Sequence, residues 1–301
     1  MMKDLLYNPF INKLIRISLK PFSEILPARL KFPINGIFTV RGKKVPPFKM
    51  ATNQTSAVTK FLFWGNVEGF EYHAVKVFEE LTKNSKVFFD IGANIGYYSL
   101  LASAIKNKDI YIYAFEPMPS AYQFLLQNIS LNQYHNIKPM KLALSNEKGR
   151  ATFYSIANPK FKELPQLTGD GSLNNAASGN SFKVNFEVDI DTLDNFVAGH
   201  LGNEKIDLIK LDTEANEHKV LAGADHVLRF HRPIIQCEIL KNQIETEMES
   251  ILADYDYLYF RATNKGLLQV TTFGNNNSPF MDYYLVPTEK KELISDFLCR
   301  T

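Results

Sequence analysis

The sequence predicts an α/β fold, a mostly parallel sheet with helices on both faces. Three observations carry this. Val87 to Leu100 (VFFDIGANIGYYSL) runs from an unbroken apolar strand pattern, through two glycines, into helical spacing. From there to Leu252, strand-length apolar runs alternate with helical patterns, as in βαβ units. Finally, 301 residues with 45% hydrophobic and 22% charged content suffice for one large core.

Taken in order, residues 1–85 read as an extension that caps a core domain of residues 86–301. Residues 9–20 place Ile11, Leu14, Ile15 and Leu19 on one helical face, expected to pack on the domain, and Pro21 ends the pattern. Ile37–Val40 and Phe61–Trp64 read as short strands, and Tyr72–Leu81 as a helix burying Val75, Phe78 and Leu81. The core opens with the strand at Val87 and a helix whose inner face holds Tyr98, Leu101, Ala102 and Ile105. The second strand, Ile110–Phe115, ends at Glu116-Pro117. A helix from Ser120 to Asn132 turns Tyr122, Leu125, Leu126 and Ile129 to the sheet. The third strand is Ile137–Leu144, followed by a hairpin-like strand, Arg150–Ile156. Residues 157–182 are polar and centred on Gly169-Asp170-Gly171-Ser172. A loop of that length inside a compact domain reads as a substrate loop.

Val184–Asp191 is a strand, and Thr192 starts a short helix. The strand after Ile206 ends in Asp212, Glu214 and Glu217, followed by a helix burying Val220, Leu221, Ala224, Val227 and Leu228. Ile234–Ile239 carries Glu238. A helix from Gln243 to Leu252, strands at Tyr257–Arg261, Leu267–Thr272 and Asp282–Val286, and a helix from Glu289 to Leu298 complete the chain.

The turn after Val87 is the chemical centre. Asp90, Gly92, Asn94 and Gly96 converge within seven residues. The glycines are spaced G-x-x-x-G, so they fit neither G-x-G-x-x-G nor a P-loop, which needs Gly-Lys-Ser/Thr. A carboxylate before the glycines also repels a pyrophosphate and suits a cation. S-adenosylmethionine, with its ammonium and sulfonium, is such a ligand. Glu116, a little over twenty residues on, can accept both hydroxyl hydrogens of a ribose. Asp212 reads as a general base for an acceptor hydroxyl, and Glu217 as an acid of a helix first turn. Two of these acids have the oxygen chemistry of a divalent-metal site. No metal is assigned, and the six histidines form no sequence-local pair for zinc.

Residues 1–50 hold ten Lys or Arg and two acids, so this segment is +8 and the rest −6 within a total of +2. A basic arm can meet an anionic membrane surface weakly, an anionic substrate or an acidic subunit. Cys237 and Cys299 imply no disulfide framework, which points to a reducing, cytoplasmic setting. No transmembrane run exists, and Lys13, Arg16 and Lys20 interrupt any signal-peptide core. A homo-oligomer stays open.

The blocks FDIGANIGYYSLLAS, AFEPMPSAYQFLLQNISLN, DTLD and IDLIKLDTEANEHKVLAGA resemble the FkbM family of S-adenosylmethionine-dependent methyltransferases, over about residues 86–240. The resemblance implies a class I methyltransferase sheet of seven strands, six parallel and one antiparallel. It implies S-adenosyl-L-methionine as cofactor and O-methylation of a hydroxyl on a sugar, glycolipid or small natural product. By position, Asp90, Gly92, Asn94 and Gly96 match the cofactor turn, Glu116 the ribose acid, and Ala143 and Leu144 the adenine contact. Asp212 and Glu214 match the acidic block and carry catalysis, Asp212 first. The family usually has Glu-Gly-small-Glu there. Ala215 replaces that glycine and disfavours a positive φ. Nucleic-acid methylation is a rival, opposed by the negative balance of the core. A non-catalytic cofactor-binding protein of the same fold is another.

Overall fold

The computed structural model describes residues 7–65, 67, 71–106, 109–158, 160–174, 183–274 and 279–299. Its centre is strand β3 (Val87–Ile91), buried at all five positions. Alternate residues of a strand point to opposite faces, and here both faces are covered. Phe88 joins one apolar cluster, with Val75, Phe78 and Leu101. Val87, Phe89 and Ile91 join the other, with Phe196, Val220 and Leu228.

The first cluster is covered by β1 (Gly36–Val40), β2 (Phe48–Thr52), α1 (Pro9–Leu19), α2 (Ala57–Gly65), α3 (Tyr72–Asn84) and α4 (Tyr97–Lys106). Strand β4 (Tyr111–Phe115) leads to α5 (Pro119–Asn132), then β5 (Ile137–Met140) and β6 (Ala143–Leu144). A hairpin-like pair follows, β7 (Gly149–Ile156) and β8 (Lys183–Asp191), then α6 (Leu193–His200), β9 (Leu208–Leu211) and α7 (Glu217–Ala222). The chain closes with β10 (Ile234–Glu238), α8 (Glu245–Leu252), β11 (Tyr257–Thr263), β12 (Gly266–Val270) and β13 (Asp282–Pro287).

The main sheet has the order β12-β11-β13-β10-β9-β3-β4-β5. Strands β5, β4, β3, β9 and β10 are parallel neighbours, and β13 lies antiparallel between β10 and β11. This is the class I methyltransferase arrangement, with eight strands rather than the seven expected. The eighth, β12, is an edge strand folded back on β11 from Thr263 to Gly266.

Four further expectations change. Phe61–Trp64 is helical, within α2, because Thr59, Leu62 and Phe63 are buried at helical spacing and Ser56 Oγ accepts from Thr59 N. A short apolar run does not separate strand from helix by itself. The strand that pairs with β1 is β2 instead. The single strand Ile137–Leu144 splits: after Met140 the chain leaves the main sheet, and Ala143 and Leu144 pair with β8 in a side sheet of order β6-β8-β7. The closing segment, Thr288–Phe297, is a 3₁₀ helix. Helix α1 forms behind its Asn8 cap and turns most of the expected face inward, with Ile11, Ile15 and Leu19 half-buried and Leu19 against the first cluster. Asn12 and Arg16 point inward, and Leu14 is exposed. Residues 175–182 of the expected substrate loop lie outside the described residues. Residues 160–174 fold back on the domain, with Leu167 and Ser172 buried.

Asn128 on α5 ties the layers together. It is buried, accepts from Ala51 N at 2.6 Å and donates to Ile95 O at 2.9 Å. The amide thereby joins β2 to the glycine turn.

Candidate active site

The turn after β3 is held by backbone. Gly92 N and Ala93 N both donate to Phe115 O, at 3.0 and 2.9 Å. Gly92 has φ +83°, and a Cβ there would stand 1.7 Å from Asp212 O. Only glycine lets this turn cross the end of β9 so closely. Gly96 serves differently. It does not line the cavity, and a Cβ on it would meet Leu125 of α5 at 2.6 Å.

Asp90 is buried, and its Oδ2 accepts from Ser99 N (2.9 Å) and Ser99 Oγ (2.6 Å). It therefore ties the strand end to helix α4 as well as lining the cavity. Glu116 is equally committed: Oε2 accepts from Asn94 N and Oε1 from Met118 N, both at 2.7 Å. Each oxygen keeps a second lone pair for a ligand. Asn94 takes φ +49°, and its buried Oδ1 finds no hydrogen-bond partner among the described residues.

These groups border a cavity of about 280 Å³, which Ala143 and Leu144 also line. An acid stands at or near the carboxyl end of each of four adjacent strands: Glu116 after β4, Asp90 on β3, Asp212 after β9 and Glu238 on β10. Neighbouring strands lie about 4.8 Å apart, so Glu116 and Glu238 are separated by roughly 14 Å along the sheet edge. The cavity has one end at the glycine turn and another at Asp212, Glu214 and Glu238, whose oxygens come within 4.8 Å of one another.

Lys210 is the residue that sequence reasoning passed over. It is buried under this second end, with Nζ 3.4 Å from Asp212, 3.9 Å from Asp282 and 5.3 Å from the centre of the Tyr98 ring. The signal was a lysine inside an apolar strand run, two residues before Asp212 and so on the same face. Glu71 was also missed. It lines the cavity and accepts from Tyr98 Oη at 2.5 Å, and Gln236 Nε2 donates to that same hydroxyl at 2.8 Å. No periodicity around Glu71 could have placed it there.

The acidic turn keeps its left-handed geometry despite the alanine. Glu214 has φ +55° and Ala215 +65°. Left-handed backbone costs about 1–2 kcal/mol per non-glycine residue. Glu217 offsets part of this cost by accepting from Thr213 N (2.6 Å) and Thr213 Oγ1 (3.0 Å). Ser172 Oγ adds a bond to Glu214 O at 2.6 Å. Glu217 thus holds the turn, in keeping with its helix first-turn reading.

Burial governs the protons. It raises Glu116 to about 7 and Asp90 to about 6, against the hydrogen bonds each accepts. Burial and the charge of Asp212 raise Glu214 to about 9, and Asp212 followed by burial raises Glu238 to about 10. Burial opposes the charge of Lys210, but Asp212, Glu71 and Asp282 outweigh it and hold its pKa above the ordinary value.

Glu116 gives a pH test. Between pH 4.5 and 7 the folded protein keeps a proton that the unfolded chain has lost. Stability therefore falls as pH rises through that window, by roughly 3 kcal/mol for this group. Urea unfolding at about pH 5 and 7.5 should show the fall, to which the other buried acids add, and Glu116→Gln should make the slope shallower by about this group's share. An unchanged slope would remove Glu116 as a contributor.

The strand order, the glycine turn at its switch point and the acids along its carboxyl edge define a class I S-adenosylmethionine-dependent methyltransferase. A cofactor with an ammonium, a sulfonium and two ribose hydroxyls fits the donor set: buried carboxyls, an orphaned amide oxygen and a turn that leaves no room for a Cβ. The chain belongs to the FkbM methyltransferase family, whose "Methyltransferase FkbM domain" model matches residues 90–259. Methyltransferase sdnD of Sordaria araneosa is 26% identical over 190 residues, 55% of this chain and 71% of that protein. The 31-O-demethyl-FK506 methyltransferase FkbM of Streptomyces tacrolimicus is 28% identical over 157 residues, 46% of this chain and 59% of its own. The hexuronic acid methyltransferase AglP of Haloferax volcanii is 23% identical over 210 residues, 64% and 78% of the two chains. Among solved structures, a methyltransferase FkbM from Methylobacillus flagellatus KT aligns at a TM-score of 0.43 and 15% identity, over 67% of this chain and 44% of that one.

Proposed function

We propose that the protein O-methylates a neutral, hydroxylated small molecule: a sugar, a glycolipid or a small natural product. In this reading Asp90, Gly92, Asn94, Glu116, Ala143 and Leu144 seat the cofactor, and Gly96 shapes the turn from behind. S-adenosylmethionine, when bound, supplies a methyl group already activated for displacement. The chain then has to align the acceptor oxygen, take its proton and exclude water.

The observation that carries the reading is the carboxyl group of three at the far end of the cavity. Glu214 and Glu238 are pushed toward their protonated forms, and Asp212 has the ammonium of buried Lys210 3.4 Å away. Asp212, with Lys210 as its counter-charge, is the base that takes the acceptor proton. Glu214 departs from its expected role as a second base. Holding its proton, it donates a hydrogen bond and orients the acceptor. Lys210 also stands where a metal would have to share the acids with an ammonium, so a chelator should leave turnover unchanged.

The relatives' names speak of a 31-O-demethyl compound and a hexuronic acid. The first agrees with a hydroxyl acceptor. The second differs in charge: Asp212, the base of this reading, would repel a carboxylate, and Lys210, the lysine lining the cavity, is already paired with it. A screen with labelled cofactor tests this. Neutral polyols should accept the methyl group at least about tenfold faster than their uronic acid counterparts. Preference for the uronic acids would overturn the neutral assignment.

A further inference from the structure

The N-terminal helix packs on its domain through a mixed face and leaves a second, apolar stripe exposed. Asn12 is buried, donates to Pro33 O at 3.3 Å and accepts from Asn35 N at 3.1 Å. Arg16 is buried four residues later, donates to Ile37 O at 2.6 Å and lies 5.3 Å from the centre of the Phe63 ring. The helix thus meets its own domain through Asn12 and Arg16 together with half-buried Ile11, Ile15 and Leu19. At about 100° per residue, Phe10, Leu14 and Ile17 fall within one narrow stripe opposite Asn12 and Arg16. They are 70%, 52% and 55% exposed. Beyond the helix, Phe22, Ile25 and Leu30 continue the apolar exposure, at 55%, 81% and 46%. Isolated apolar residues on a surface need no explanation, but six exposed within twenty-one consecutive residues, three of them on one helical stripe, do.

Charge says what covers it. Lys13 and Arg29 are exposed within the same segment, and Arg41, Lys43, Lys44 and Lys49 follow on exposed positions. Glu24 is the one acid among residues 7–50. Apolar side chains flanked by lysine and arginine match an anionic lipid surface, which offers acyl boundary and phosphate together. A nucleic acid would use the charge and leave the apolar stripe in water.

We propose that α1 and the segment to Leu30 form a peripheral docking face for an anionic bilayer, with Phe10, Leu14 and Ile17 entering the headgroup boundary. No helix among the described residues is long and apolar enough to span a membrane, so attachment is to one surface and reversible.

The test is co-sedimentation of the full chain with phosphatidylglycerol vesicles and with phosphatidylcholine vesicles. The chain should pellet with the anionic vesicles and stay in solution with the neutral ones, and its binding should weaken roughly tenfold between about 0.1 and 0.5 M salt. A variant carrying Phe10→Ser, Leu14→Ser and Ile17→Ser should lose binding while keeping its unfolding temperature, because all three side chains are exposed. Failure to bind anionic vesicles overturns the proposal, as does equal binding to both kinds. A dimer on size exclusion that the triple variant dissolves would assign the face to a second copy and also overturn it.

Discussion

Asp212→Asn is expected to lower turnover by about 10³-fold, within the usual range for removing a general base, and to leave cofactor affinity within a few-fold. The substitution keeps the shape of the side chain and removes its proton-accepting charge. Asp212 N still donates to Ile91 O, so the backbone at the end of β9 is undisturbed. Steady-state rates with labelled cofactor and an equilibrium titration separate the two effects. Full turnover in the variant would take the base role away from Asp212. Loss of cofactor binding alone would move Asp212 to the cofactor's own contacts.

Gly92→Ala should do more damage to binding than any other single methyl group added at the site. The new Cβ would sit 1.7 Å from a backbone oxygen, and backbone on two adjacent central strands cannot step aside. The residue must also hold φ +83°, which alanine disfavours. A loss of roughly 3 kcal/mol of stability is expected, which is about 10 °C of unfolding temperature or somewhat less for a chain of this size. Cofactor binding should fall below detection. Thermal unfolding with and without S-adenosylhomocysteine reads both. An unfolding temperature within a degree or two of the parent, with the ligand shift retained, would contradict the close crossing of the turn over β9.

The sheet was legible because burial on both faces leaves a plain trace: Val87–Ile91 and Leu208–Leu211 are runs that only a central strand or a buried helix can carry, and glycines or acids cut them short. The acids at the strand ends were legible for the same reason, since a charge that ends an apolar run marks where the run leaves the sheet. What the sequence hid is the long-range part. Phe61–Trp64 looks apolar in either conformation, and it is the Ser56 cap and the contacts of Leu62 and Phe63 that make it a helix. Glu71 reaches the site only because α3 packs on α4, where Tyr98 holds it. Helix α1 was legible in part. Its periodicity is real, and Ile11, Ile15 and Leu19 turn toward the domain, but Asn12 and Arg16 are buried beside them by bonding backbone carbonyls, and Leu14 turns out.

Ala215 shows how a local rule yields to its surroundings. A glycine would relax that turn. Glu217 and Ser172 hold the alanine in the left-handed region instead, through one bond that spans four residues, from Thr213 to Glu217, and one that spans more than forty, from Ser172 to Glu214. Lys210 shows the reverse case, a residue visible by its oddity yet readable only once Asp212, Asp282 and Tyr98 are known to surround it.

Calorimetric titration of S-adenosylmethionine into the wild-type chain and into Glu116→Ala addresses the assignment of the glycine turn most directly. One site per chain is expected in the wild type, and at least about tenfold weaker binding in the variant, since a buried carboxyl facing two ribose hydroxyls is lost. Absence of binding heat for the wild type, or undiminished affinity in Glu116→Ala, would contradict the placement of the cofactor between the ends of β3 and β4.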